Sequence, residues 1–116
     1  MNRELTSILS ICQKSGRMCR GFDAAVKAVR TGKAVLILMC EDLSPKTAKE
    51  LNYKTAGRVK TVRTNFNMNE LSECIGHKTG IITITDQGFA DKIYEAYEAI
   101  SSVRKTDLYK DNTNKN

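Results

Sequence analysis

The sequence predicts an α/β fold: a three-layer α/β/α sandwich on a small four-stranded mixed sheet. Three observations carry that prediction. Helical and extended patterns alternate along the chain, which is the signature of layered α/β architecture. The run Ala34-Val35-Leu36-Ile37-Leu38-Met39-Cys40 is apolar on both faces, as in a central strand covered by helices on two sides. Glycines and capping residues punctuate the alternation at short, regular intervals.

The first helix is expected over Arg3 to Lys14, with Asn2 as N-cap and Leu5, Ile8, Leu9 and Cys12 as its inward stripe. Gly16 ends it, and Arg17 to Arg20 form a short extended piece. A second helix starts at Gly21 and runs to about Thr31, where Gly32 stops it. Phe22, Ala25, Val26 and Val29 make its buried stripe, while Asp23, Lys27 and Arg30 share the wet face. The apolar strand Ala34–Cys40 follows. Ser44 caps a third helix with Pro45 as first residue, reaching Ala56 before Gly57; its thin stripe is Ala48, Leu51 and Thr55.

Arg58 to Arg63 reads as a strand near an edge, because its neighbours are polar. Asn67 and Glu70 give a capping-box start to a short helix with Leu71, Cys74 and Ile75 inward and Gly76 at its end. His77-Lys78-Thr79-Gly80 is a tight loop, and the β-branched run Ile81 to Thr85 is a strand. Asp86 caps the last helix, Gln87 to Val103, with Phe89, Ile93, Ala96, Tyr97 and Ile100 inward. One domain is therefore expected over residues 1–104, with a polar, frayed tail over residues 105–116.

A chain of 116 residues buries a core without disulfides or metal. The scattered Cys12, Cys19, Cys40 and Cys74, with His77 as sole histidine, lack metal-ligand spacing and read as structural thiols. No cofactor is implied. No apolar run approaches the roughly 20 residues of a membrane span, and the N-terminus lacks a secretory h-region, so a cytoplasmic protein is expected. There is no Walker loop, no nucleophile elbow and no paired carboxylates beside a base, which argues against catalysis.

Net charge is +6, and it is unevenly spread. Residues 1–63 hold 13 Lys/Arg against 5 Asp/Glu, whereas residues 64–116 hold 6 against 8. A basic half on a small domain suits a polyanion, although lysine-rich surfaces also serve solubility alone. The start of the second helix offers free backbone amides among basic side chains, a setting that attracts phosphate. Asp23 and Lys27 also fit a plain solvated pair on a helix face.

The order Gly16-Arg17, Gly21, Lys27, Gly32-Lys33-Ala34-Val35-Leu36-Ile37-Leu38, Glu41-Asp42, Leu71, Ile75-Gly76, Ile82-Thr83-Ile84 and Gly88-Phe89-Ala90 carries a resemblance. Over roughly residues 3–100 the chain resembles the kink-turn-binding ribosomal protein family of the L-seven-Ae and L-thirty-e type, in particular its small bacterial ribosome-associated members. The resemblance implies a monomer that binds sharply bent RNA, ribosomal or otherwise, on or off the ribosome, at the N-terminus of the second helix. There the family carries Gly-x-Asn-Glu-x-x-Lys, and this chain carries Gly21 to Lys27.

Gly21 and Lys27 match that pattern. Asp23 replaces the Asn and Ala24 replaces the Glu, removing an amide donor and a carboxylate. The family's second contact, an apolar loop, falls on His77-Lys78-Thr79-Gly80, where His77 can stack on a base and Lys78 can meet phosphate; a solvated turn fits the same residues. The expected RNA-binding set is Arg17, Arg20, Gly21, Phe22, Asp23, Lys27, Arg30, Lys33, His77 and Lys78, with no catalytic or metal-ligating residue. The alternative is a protein-interaction module of the same fold that has lost kink-turn recognition.

Overall fold

Five helices and four strands alternate in the computed structural model, which describes the backbone of residues 2–112 and the side chains of residues 2–99. In chain order they are α1 (Arg3–Lys14), β1 (Met18–Arg20), α2 (Phe22–Arg30), β2 (Leu36–Met39), α3 (Pro45–Thr55), β3 (Lys60–Arg63), α4 (Met68–Ile75), β4 (Ile81–Ile84) and α5 (Gln87–Asn112). The strands form one mixed sheet in the order β1-β4-β2-β3. β4 is antiparallel to both β1 and β2, and β2 is parallel to β3.

The two central strands are buried at every position, which is why their sequences are apolar without alternation except at Thr83. Their side chains divide between two cores. Leu36, Leu38, Ile82 and Ile84 pack with Leu5, Leu9 and Cys12 of α1, Leu71 of α4 and Ile93 of α5. Ile37, Met39 and Ile81 pack on the other face with Ala25, Val26 and Val29 of α2 and Leu51 of α3. Alternation along β2 and β4 thus builds the expected three layers.

Local chemistry sets the helix ends. Asn2 accepts from the Leu5 amide at 2.7 Å, Ser44 from Thr47 at 3.2 Å, and Asp86 from Phe89 at 2.9 Å. Asn67 and Glu70 form a complete capping box. The Asn67 amide bond holds the Glu70 carboxyl below the usual carboxylate range. After α1, the Gly16 amide reaches Gln13 and the Arg17 amide reaches Cys12, the paired bonds that close a helix through a left-handed glycine.

Four boundaries depart from the sequence expectation. β2 is shorter than Ala34–Cys40: Val35 and Cys40 still donate to Ile84 and Gly80, but only Leu36–Met39 pair with β3 as well. β3 begins at Lys60 rather than Arg58 for the same reason. The left-handed residue closing α3 is Ala56, at φ 50°, ahead of Gly57. α5 continues to Asn112, past Val103. The expected inward side chain of Ile100 and the end of the tail lie outside the described residues.

The β3 edge is covered by α5: Tyr97 donates its hydroxyl to the Arg63 carbonyl at 3.0 Å, and the Lys60 ammonium lies 3.9 Å from the Tyr94 ring centre. Among the described residues no helix is long and apolar enough to cross a membrane.

Candidate nucleic-acid interface

Antiparallel pairing brings the exit of β1 against the start of β4, so the Gly21 amide donates to the Ile81 carbonyl at 2.9 Å. Gly21 has φ 97° and ψ 170°, a conformation open essentially to glycine alone. A Cβ there would meet nothing within 4 Å, so the requirement is backbone conformation, and the space in front of the helix stays open. Gly21 supplies no side-chain cap, and the first helical bond runs from the Ala25 amide to the Gly21 carbonyl. The amides of Phe22, Asp23 and Ala24 therefore have no acceptor among the described residues. They concentrate positive partial charge at an exposed helix end.

Two loops share this end of the sheet. The Gly80 carbonyl accepts from the Cys40 amide at 2.9 Å, which seats the loop His77–Gly80 between the exits of β1 and β2. Thr79 closes the loop by bonding both the carbonyl and the amide of Ile81 through its hydroxyl, at 3.0 and 3.2 Å. A Cβ on Gly80 would lie 2.8 Å from Met68 Cε and 2.9 Å from Leu43 Cδ1, so the loop is pressed onto the β2–α3 connection. Arg63 is exposed at this end and donates to the carbonyls of Cys40, Glu41 and Leu43.

The ten expected residues do not gather in one place. Arg20, Gly21, Phe22, Asp23, His77 and Lys78 lie at the α2 N-terminal end. Arg17 and Lys33 lie at the opposite end, where Thr85 donates to the Arg17 carbonyl and Lys33 donates to Ala28 in the last turn of α2. Nine helical residues, about 13 Å, separate the two groups. Lys27 and Arg30 line the exposed side between them. Arg20 sits opposite Ile82, a residue of the α1/α4/α5 core, so strand alternation aims it to the sheet face away from α2. Phe22 is half-buried against the α2/α3 core, a packing role.

Shallow grooves run along both flanks of α2. One, of about 320 Å³, lies toward β1 and includes Cys19, Ala24, Ala28 and Lys33 in its wall. The other, of about 430 Å³, lies toward α3 and adds Lys54 to Asp23, Lys27 and Arg30. Lys54 was legible only as general basic surface; α2/α3 packing is what aligns it with the α2 cations. Among the described residues none of Lys27, Arg30, Lys33 and Lys54 is held in an ion pair or side-chain hydrogen bond. A larger cleft of about 730 Å³ between α1 and α5 mixes Arg3 and Lys92 with Glu4 and Glu95, and its balanced charge offers a polyanion nothing.

The thiols of Cys12, Cys40 and Cys74 are poor nucleophiles. Burial, reinforced by Asp42, Glu41 and Glu70, pushes the Cys40 thiol up to about 12. Burial and then Asp86 push Cys12 to about 11, and burial raises Cys74. Among the described residues no group of three or more His, Cys, Asp and Glu could hold a metal ion. The chemistry available on this surface is anion binding.

Comparison with known proteins agrees with the architecture. Residues 3–94 match the model of the ribosomal protein L7Ae/L30e/S12e/Gadd45 family. The RNA-binding protein YlxQ of Bacillus subtilis is 28% identical over 91 residues, covering 74% of this chain and 87% of that protein. The large ribosomal subunit protein eL30 of Spodoptera frugiperda is 31% identical over 93 residues, covering 77% and 81% respectively. A solved structure of a protein of unknown function from Bacillus halodurans superposes with a TM-score of 0.73 at 27% identity, over 84% of this chain and 99% of that one. None of these relatives is named as an enzyme. With most of its described length matched, the chain belongs to the ribosomal protein L7Ae/L30e/S12e/Gadd45 family, which has RNA-binding, ribosomal-type members.

Proposed function

We propose that this protein binds structured RNA, at a bend, bulge or internal loop, through the N-terminal end of α2. The observation that carries the reading is the set of three acceptorless amides behind a side-chain-free Gly21, on an open sheet end that also presents His77 and Lys78. The names of the YlxQ and eL30 relatives support RNA as the ligand class. A regular A-form helix is a poor target, because its deep major groove excludes side chains. The finer reading is a kink-turn-like bend in ribosomal RNA or another structured RNA, with Gly21 and Lys27 retaining the family chemistry. The protein acts without catalysis or cofactor, as a cytoplasmic monomer free or on the ribosome, with residues 1–104 as the binding domain and 105–116 as a tail.

The test is a titration of the protein against a kink-turn RNA and a straight duplex of equal length, each at low and at high salt. Tighter binding to the kink-turn, kept at high salt, is expected. Equal, salt-sensitive binding to both would reduce the interaction to general phosphate attraction. Binding to neither would favour a protein partner instead. Lys27→Ala and Arg20→Ala should each weaken the complex and lower the salt slope by about 0.7–0.9, with the thermal unfolding midpoint unchanged. Two variants that bind like the parent would remove the α2 terminus as the site.

A further inference from the structure

The groove between α2 and α3 shares Asp23 and Lys27 with the proposed bend site and continues beyond them to Arg30, Thr31 and Lys54. Its floor is Val26 and the half-buried Phe22, and its walls carry Lys27 and Arg30 from α2 and Lys54 from α3. Three cations face a cleft of about 430 Å³ against one carboxylate, Asp23, which stands at the upper end. Lys27, Arg30 and Lys54 are exposed and engaged with no other described residue, so their charge is available to a ligand. The arrangement is tertiary: Lys54 is in the last turn of α3, and helix packing brings it beside the last turn of α2.

The groove runs from Asp23 to Thr31, about 12 Å along the helix. Its upper end is the acceptorless start of α2, and its lower end is the most basic part, with Arg30 and Lys54. A nucleic-acid strand held at Gly21 and continuing along α2 enters a channel whose positive charge increases with distance from the bend. Apolar floor and flexible cationic walls fit a sugar–phosphate backbone, which asks for charge neutralisation without a donor–acceptor code. They do not fit base edges, which need fixed hydrogen-bonding groups.

We propose that the α2/α3 groove holds the phosphate backbone of a helical stem flanking the RNA bend, with Lys54 and Arg30 as the contacts that depend on the stem. This rests on the RNA-binding reading of the α2 terminus and adds a second, sequence-independent part to the same complex. It predicts that affinity depends on stem length on one side of the bend, and that Lys54 senses that length while the bend contacts do not.

The experiment uses the full chain, its Lys54→Gln and Arg30→Gln variants, and Arg20→Ala, outside the groove, as the reference for the bend. The probes are a kink-turn RNA with two long stems and two derivatives, each with one stem trimmed back to the bend. Lys54→Gln and Arg30→Gln should each bind the long-stem RNA about threefold or more weaker, with a salt slope lower by about 0.9. One trimmed RNA should bind parent and both variants alike. Thermal unfolding midpoints should match, since both side chains are exposed. If both variants bind the long-stem RNA as the parent does while Arg20→Ala loses affinity, the groove proposal is overturned and the bend reading stands. Equal weakening on all three RNAs would also overturn it, placing those contacts at the bend. A parent that binds none of the RNAs overturns both readings.

Discussion

Asp23 and Ala24 stand at the two positions where this chain departs from the Asn-Glu chemistry of the pattern it otherwise resembles. Both sit in the first turn of α2, beside the acceptorless amides, with Asp23 exposed. A carboxylate there accepts hydrogen bonds but repels phosphate, and an alanine does neither. Asp23→Asn combined with Ala24→Glu restores an amide donor and a base-facing acceptor at unchanged backbone geometry. The double variant should bind a kink-turn RNA about fivefold to a hundredfold tighter, the range of one good side-chain-to-base pairing. A titration showing no gain would mean that the α2 end approaches its RNA in another register. At this scale the sequence was readable where chemistry is local: Asn2, Ser44, Asn67 and Asp86 each cap the helix they precede. It was less readable for Arg20 and Phe22, whose directions depend on strand pairing and core packing.

Helices and strands were legible because each buries a patterned face; their ends were legible only where one residue decides them. Gly16, Gly32 and Gly76 close α1, α2 and α4 at positive φ, as glycines do. α3 ends differently. Ala56 takes the left-handed conformation, donating its amide to the Asn52 carbonyl, while the Arg58 amide turns back to Thr55. That geometry is set by the need to carry the chain into β3, and alanine bears a Cβ clash of about 1–2 kcal/mol there. Ala56→Gly relieves the clash and offsets part of the gain by loosening the unfolded chain by about 0.4–1 kcal/mol. The net expectation is a stabilisation of about 0.5–1 kcal/mol in urea unfolding, with RNA binding unchanged because Ala56 lies beyond the lower end of the groove. A loss of stability would mean that this turn is held by its neighbours without strain. The strand ends show the converse: Val35 and Cys40 are as apolar as the strand they flank, so only the β3 register distinguishes them.

The candidate site is a property of the whole molecule, which is why the sequence supplied its members but not their grouping. Strand order β1-β4-β2-β3 puts Gly21 beside the loop after α4 and sends Arg17 to the far end of α2; neither placement has a local signal. The same global packing sets how the protein responds to pH. Cys12 of α1 and Cys40 at the end of β2 belong to one core, and burial leads the causes that raise both thiols, to about 11 and about 12, from an ordinary value of 9.0. Well below pH 9 both states keep these protons and the thiols contribute no pH dependence. Between about pH 9 and 11 the unfolded chain releases them while the folded chain does not, so the folded state is the one binding more protons. Stability must then fall as pH rises, by at most about 1.4 kcal/mol per pH unit for each thiol. Urea unfolding across this window should show the decline, and a Cys12→Ala, Cys40→Ala variant should show a shallower one, although its stability at neutral pH is lower from the lost packing. An unchanged slope would assign the alkaline loss to the lysines and tyrosines, and would mean that the core between α1, α5 and the sheet opens to water before its thiols ionise.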